Sequence, residues 1–204
     1  MRRTLICFAT LALMVSSVAN AEVIELNLLG NAGFGLLPGN EIGANTADAS
    51  TSNAFGGEIG QGFVLDTNTG LLQFGFQFSG LTGGLFNAAS GIHIHEVNDP
   101  SDPFNSTGGI LFNLNSGSDA NVTLTTPLID IGSTSGTVEG TIALTDTQEQ
   151  GFVDGIYYIN IHSDSFRGGE LRANVTAIPE PSSCLAIAAC LITSHAIRRR
   201  RRVA

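Results

Sequence analysis

The histidines of this chain are few and grouped. Of four in 204 residues, two stand two apart in "GIHIHEV" as His93 and His95, and a third, His162, ends the run "GIYYINIH". Successive side chains on a β-strand point to opposite faces. In the first run Ile92, Ile94 and Glu96 therefore share one face, and His93, His95 and Val97 the other. In the second, Tyr157, Ile159 and Ile161 oppose Tyr158, Asn160 and His162. The isoleucines belong to a core, so the imidazoles are expected on the outer, solvent-facing surface. Two imidazoles about 7 Å apart along a strand can converge on one ion. If the two strands are neighbours, His162 joins them. Three neutral imidazoles are a good donor set for copper or zinc, leave a coordination position open, and need no thiol. The plain alternative is three polar side chains on the wet side of a sheet.

The elements that must position these side chains read as strands. Residues 22–177 are rich in Gly, Asn, Thr and Ser, with short β-branched and aromatic runs between turn residues. Strands are expected near "EVIELNLL", "GQGFVLD", "GLLQFGFQFS", "GIHIHEV", "GGILFNLN", "NVTLTTPLI", "SGTVEGTIAL", "GIYYINIHS" and "GELRANVTA". In the third of these, Leu72, Phe74, Phe76 and Phe78 fall on one face. Short alternating strands at this spacing predict an all-β domain, an antiparallel Greek-key sandwich or barrel of about seven to nine strands. No stretch of the body carries a long helical apolar period. Residues 31–52 and the interval "VNDPSDPFNSTGG" read as loops.

The ends of the chain read differently. Arg2 and Arg3, an apolar run and the small-x-small triplet Ala19-Asn20-Ala21 make residues 1–21 a secretory signal peptide, with the mature chain starting at Glu22. At the other end, Pro179-Glu180-Pro181 precedes an apolar segment from Cys184 to Ile197 and then Arg198, Arg199, Arg200, Arg201 and Arg202. That segment is a short transmembrane helix by its flanks, with the arginines kept inside and the main domain outside. A basic, partly helical tail is the alternative. The domain organisation is thus 1–21 signal, 22–57 first strand and Gly/Asn-rich loop, 58–177 β domain, and 178–204 sorting or anchor segment. Cys7, Cys184 and Cys190 all lie in the two ends, so the body is not a disulfide scaffold and depends on its core.

Charge is as unevenly spread. Of nine basic residues only Arg167 and Arg172 lie within 22–177, and of eighteen acidic ones only Glu180 lies outside it, which leaves seventeen against two. Such a surface repels phosphate backbones and excludes nucleic acid as a partner, while suiting cations. Glu170 and Arg172, two apart at the last strand, read as a structural ion pair or as a frame for the histidines together with Asn160. Asn98, Asp99, Asp102 and Asn105 offer oxygens but lack the spacing of a calcium loop. No Ser/His/Asp order, nucleophile elbow or phosphate loop is present.

Three resemblances follow from these residues. Pro179-Glu180-Pro181, the apolar segment and the arginine cluster resemble the PEP-CTERM sorting signal. This implies export into an extracellular polysaccharide matrix in a bacterium and processing by exosortase-type machinery. His93-Ile94-His95, then Tyr158-Ile159-Asn160-Ile161-His162, then Gly168-Gly169-Glu170-Leu171-Arg172 are similar, over roughly Glu58 to Thr176, to the CHRD domain of secreted proteins. That likeness implies a surface-anchored or secreted module that binds an extracellular protein or polysaccharide, without catalysis. A fainter likeness is to copper/zinc superoxide dismutase, where an H-x-H strand and a later strand histidine bind copper and an arginine guides the anion. It implies, as the alternative, a mononuclear copper redox protein or carrier using His93, His95 and His162 with Arg172 nearby. The bridging histidine, the zinc-site histidines and the disulfide cysteines of that family are absent here.

Overall fold

The computed structural model describes residues 22–42, 49–86 and 91–178. The signal peptide at 1–21 and residues 179–204 of the sorting segment lie outside the described residues. Along the chain the strands are β1 (Val23–Gly30), β2 (Gly33–Phe34), β3 (Phe55–Glu58), β4 (Phe63–Asp66), β5 (Leu71–Ser79) and β6 (Ile92–Glu96). They continue with β7 (Ile110–Asn113), β8 (Val122–Leu124), β9 (Ser135–Ala143), helix α1 (Asp146–Val153), β10 (Tyr157–Ile161) and β11 (Leu171–Ala177). Nine of the eleven strands form one path, β7-β6-β10-β11-β1-β4-β5-β9-β8, while β2 pairs with β1 and β3 with β5. These nine are the nine runs that alternation marks in the sequence. Among the described residues every ladder is antiparallel. The connections β5→β6 and β9→β10 carry the chain from one half of the path to the other, which is the Greek-key element of an all-β fold.

The sheet curls until its ends nearly meet. After β7 and β8 the loops are tied by Asn115, whose Nδ2 donates to the Ile129 carbonyl (2.9 Å) and whose Oδ1 accepts from the Ile129 N–H (2.7 Å). Inside lies an apolar core. Leu72, Phe74, Phe76 and Phe78 of β5 are all buried, and Phe63 stacks on Phe74 and Phe76 with centroids 6.3 and 6.2 Å apart. Ile92 and Ile94 of β6 and Ile159 and Ile161 of β10 reach the same core from the far half. The isoleucine faces thus point where alternation requires, and they fix the opposite face of β6 and β10 as the place for the histidines.

The helix was not legible as an apolar period. Its signal is instead local: Thr145 accepts from the Gln148 N–H while Gln148 Oε1 accepts from the Thr145 N–H, a reciprocal cap that satisfies the orphan donors of a helix start. One apolar side chain, Phe152, anchors it edge-on against Tyr157 at 4.8 Å. Among the described residues no helix is long and apolar enough to cross a membrane.

With no cysteine in the body, the phenylalanine cluster carries much of the stability. Phe76→Ala is expected to destabilise by about 3–5 kcal/mol, read from the shift of a denaturant unfolding curve.

Candidate metal centre

Register brings the sequence candidates together row by row. His93 lies opposite Asn160 and His95 opposite Tyr158 across the β6/β10 ladder. Asn160 in turn faces Arg172, and Tyr158 faces Asn174, across β10/β11. His162 follows directly on β10, held there by its N–H to the Gly91 carbonyl (2.8 Å). One face of β6, β10 and β11 therefore carries only His, Tyr, Asn and Arg side chains near its centre.

That face is not solvent-facing, contrary to the expectation from alternation alone. His93 and His95 are 4% and 8% exposed, and Tyr158, Asn160, Arg172 and Asn174 are buried as well. The reason is that two segments read as loops fold down over it. From the 98–109 loop, Pro103 and Ser106 offer carbonyls to Arg172 Nη2 (3.1 and 2.7 Å), and Pro103 also accepts from Asn174 Nδ2 (3.1 Å). From the other side Leu37 exchanges backbone hydrogen bonds with Arg172, and Asn40 Nδ2 donates to the Arg172 carbonyl (3.1 Å). The result is a second interior, polar instead of apolar.

There the three imidazoles converge, His93 and His95 buried within it and His162 half-buried at its edge. Ring centroids are 5.4 Å apart for His93 and His95, 5.0 Å for His93 and His162, and 6.0 Å for His95 and His162. One nitrogen from each lies within 4.8 Å of the others, and among the described residues this is the one group of His, Cys, Asp or Glu so spaced. His95 Nδ1 lies 3.1 Å from the Gly108 carbonyl, and His162 Nδ1 lies 2.9 Å from the Arg167 carbonyl. A carbonyl only accepts, so each Nδ1 carries the proton and donates, and each Nε2 keeps its lone pair. Both Nε2 atoms are buried with no protein partner. A backbone carbonyl behind the ring and a free lone pair in front is the arrangement that orients a metal-binding histidine.

Burial, chiefly, pulls His95 and His162 down to a pKa of about 4, with the neighbouring His93 ring adding to it and the carbonyls at Gly108 and Arg167 opposing. At neutral pH both rings are neutral, the form a metal needs.

The residues expected to frame the histidines divide. Asn160 lies beside them and donates to the Gly168 carbonyl (3.2 Å). Arg172 sits over the Tyr158 ring at 3.7 Å, and Tyr158 stacks on His95 at 4.9 Å with the planes 12° apart. Glu170 is drawn elsewhere: it accepts from the Thr82 N–H (3.0 Å), the Thr82 hydroxyl (2.9 Å) and the Ser52 hydroxyl, pinning two loops. The carboxyl that faces Arg172 is that of Glu41, a residue that sequence reasoning left in a featureless loop. Burial raises Glu41 to about 7 against the opposing pull of Arg172, the Ile42 N–H and Asn160. Glu41 Oε2, Asn160 Oδ1 and Arg172 Nε and Nη1 are further buried atoms without a protein partner, so the unsatisfied polar atoms gather in this one layer. The acidic loop offers no rival centre: Asp99 Oδ1 accepts from Ser101 and Asp102 Oδ1 from Asn105.

These shifts set the stability of the metal-free protein against pH. His95 and His162 have folded pKa values below the unfolded one, so their contribution is full above about 6.5 and is lost as pH falls through about 4. Glu41 opposes them, its contribution full below about 4.5 and lost as pH rises through about 7. The melting temperature of the metal-free chain is expected to rise from pH 4.5 to 6.5. His162→Gln should flatten that rise and Glu41→Gln should steepen it, read by thermal melts in chelator.

No curated protein and no solved structure matches the chain. The family model of the CHRD domain matches residues 41–175, a span that runs from Glu41 through all three histidines to β11. The chain belongs to the CHRD domain family.

Proposed function

We propose that this chain is an exported CHRD module that holds one copper or zinc ion between His93, His95 and His162 and serves as a binding or structural component outside the cell, not as an enzyme. The observation that carries the reading is the pair of buried, unpartnered Nε2 lone pairs on His95 and His162, converging with a nitrogen of His93 within 4.8 Å. A buried acceptor left unsatisfied costs about 1–3 kcal/mol, and a divalent ion would turn that penalty into coordinate bonds. Three imidazoles and no thiol suit either metal. The burial of His93 and His95 favours holding an ion over turning over a substrate.

Export rests on the two ends of the sequence. The leader at 1–21 would send the chain across the membrane. The Pro179-Glu180-Pro181 motif, apolar segment and Arg198–Arg202 cluster would hold it there for exosortase-type processing and release to the cell surface or matrix. The acidic body disfavours nucleic acid, and the partner of this reading is an extracellular protein or polysaccharide.

Purified metal-free full-length chain titrated with copper(II) or zinc should take up one ion per chain. His93→Ala and His162→Ala should each weaken uptake by more than about 100-fold, beyond what losing a mere hydrogen-bonding neighbour of a ligand costs. Uptake unchanged in both variants would return the histidines to a purely structural role. The copper-loaded protein should remove superoxide no faster than free copper in the same buffer; a rate well above that would favour the redox reading, which uses the same three rings. N-terminal sequencing of the protein recovered outside the cell should begin at Glu22.

A further inference from the structure

The outer face of β3, β5 and β9, strands that carry none of the histidines, forms an open groove of about 590 Å³. Register defines what points into it. Phe55, Ser79 and Ser135 stand in one row across the three strands, and Gly57, Gln77 and Thr137 in the next. The intervening Phe78 faces the core, as do Phe76 and Val138 in the row beyond. The Phe55 ring is 61% exposed, beside three hydroxyls and one amide, and Gly57 leaves part of the floor free of any side chain. Glu58, the one charged residue in the lining, is engaged through Oε1 by the Leu28 N–H.

We infer that this groove is a binding site for a neutral oligosaccharide. A saccharide presents an apolar ring face for an aromatic side chain and equatorial hydroxyls for amides and hydroxyls. One phenyl ring set among Gln, Ser and Thr side chains supplies both. Charge selects within the class. The lining holds no cation, and the body carries seventeen acids against two arginines, so an acidic polysaccharide is repelled. A peptide strand would add to a free strand edge, whereas this groove lies on a sheet face, across the β3/β5 and β5/β9 pairings. The inference names the partner class for the matrix-module reading and uses none of the metal-site residues.

The test is calorimetric titration of the full chain with two neutral probes, cellohexaose and maltohexaose, and one acidic probe, hexagalacturonate. Saturable binding of at least one neutral probe and none of the acidic one is expected. Phe55→Ala and Gln77→Ala should each weaken it about tenfold, with melting temperatures unchanged because both side chains are exposed. His93→Ala should bind the neutral probe as the parent does, so failure of the metal centre and failure of the groove are told apart. Binding of neither neutral probe, binding indifferent to both groove variants, or preference for the acidic probe would overturn the proposal.

Discussion

The constraint on which this molecule turns is that both faces of β6, β10 and β11 are buried, and only one of them is apolar. An antiparallel sheet ordinarily gives one face to water. Here the second face carries His93, His95, Tyr158, Asn160, Arg172 and Asn174 away from solvent. Each of those groups then needs a partner, because desolvated polar atoms are expensive when left alone. The covering loops supply carbonyls from Pro103, Ser106, Gly108, Arg167 and Gly168. The loops are thus shaped by the face they cover, and the face is tolerable only because they cover it.

Within that layer the contacts are chained. Arg172 lies over Tyr158, Tyr158 stacks on His95, and His95 is oriented from behind by Gly108, whose own N–H donates to the Tyr158 hydroxyl (3.1 Å). Moving any one of these displaces the next, so the imidazole is held by packing as well as by its hydrogen bond. Such networks in a low-dielectric interior are stiff when satisfied and costly when not. A site that must present lone pairs in a fixed arrangement gains from the first property, and its unsatisfied atoms are an instance of the second.

Much of this was legible in the residues. The Ile-x-Ile faces of "GIHIHEV" and "GIYYINIH" placed the histidines opposite the core, and the nine alternating runs became the nine strands of the sheet path. Adjacency of β6 and β10 could only be supposed, since strand order in a Greek key is set by crossovers that leave no local mark. Burial of the polar face was missed for a related reason. Alternation tells which side a residue is on, but not whether a distant, Gly-rich segment such as 35–42 will return to cover it. Glu41 had no signal at all, since nothing about a lone acid in a loop distinguishes it from sixteen others in the body. Helix α1 hid because one buried phenylalanine makes no period; only the Thr145 and Gln148 cap marks its start.

The interior placement of Arg172 has a consequence for the outside of the molecule. Residues 22–177 contain two cationic side chains, and one of them is wholly enclosed. Arg167, whose guanidinium lies 4.8 Å from the Phe86 ring centroid, is left as the sole positive counterweight in this span to the acids that remain outside, Glu170 being enclosed as well. Copies reduced to residues 22–177 would therefore repel one another over a distance fixed by ionic strength, about 10 Å in 0.1 M salt and more at lower salt. The spacing that two such domains keep is then a property of the surrounding electrolyte as much as of their shape.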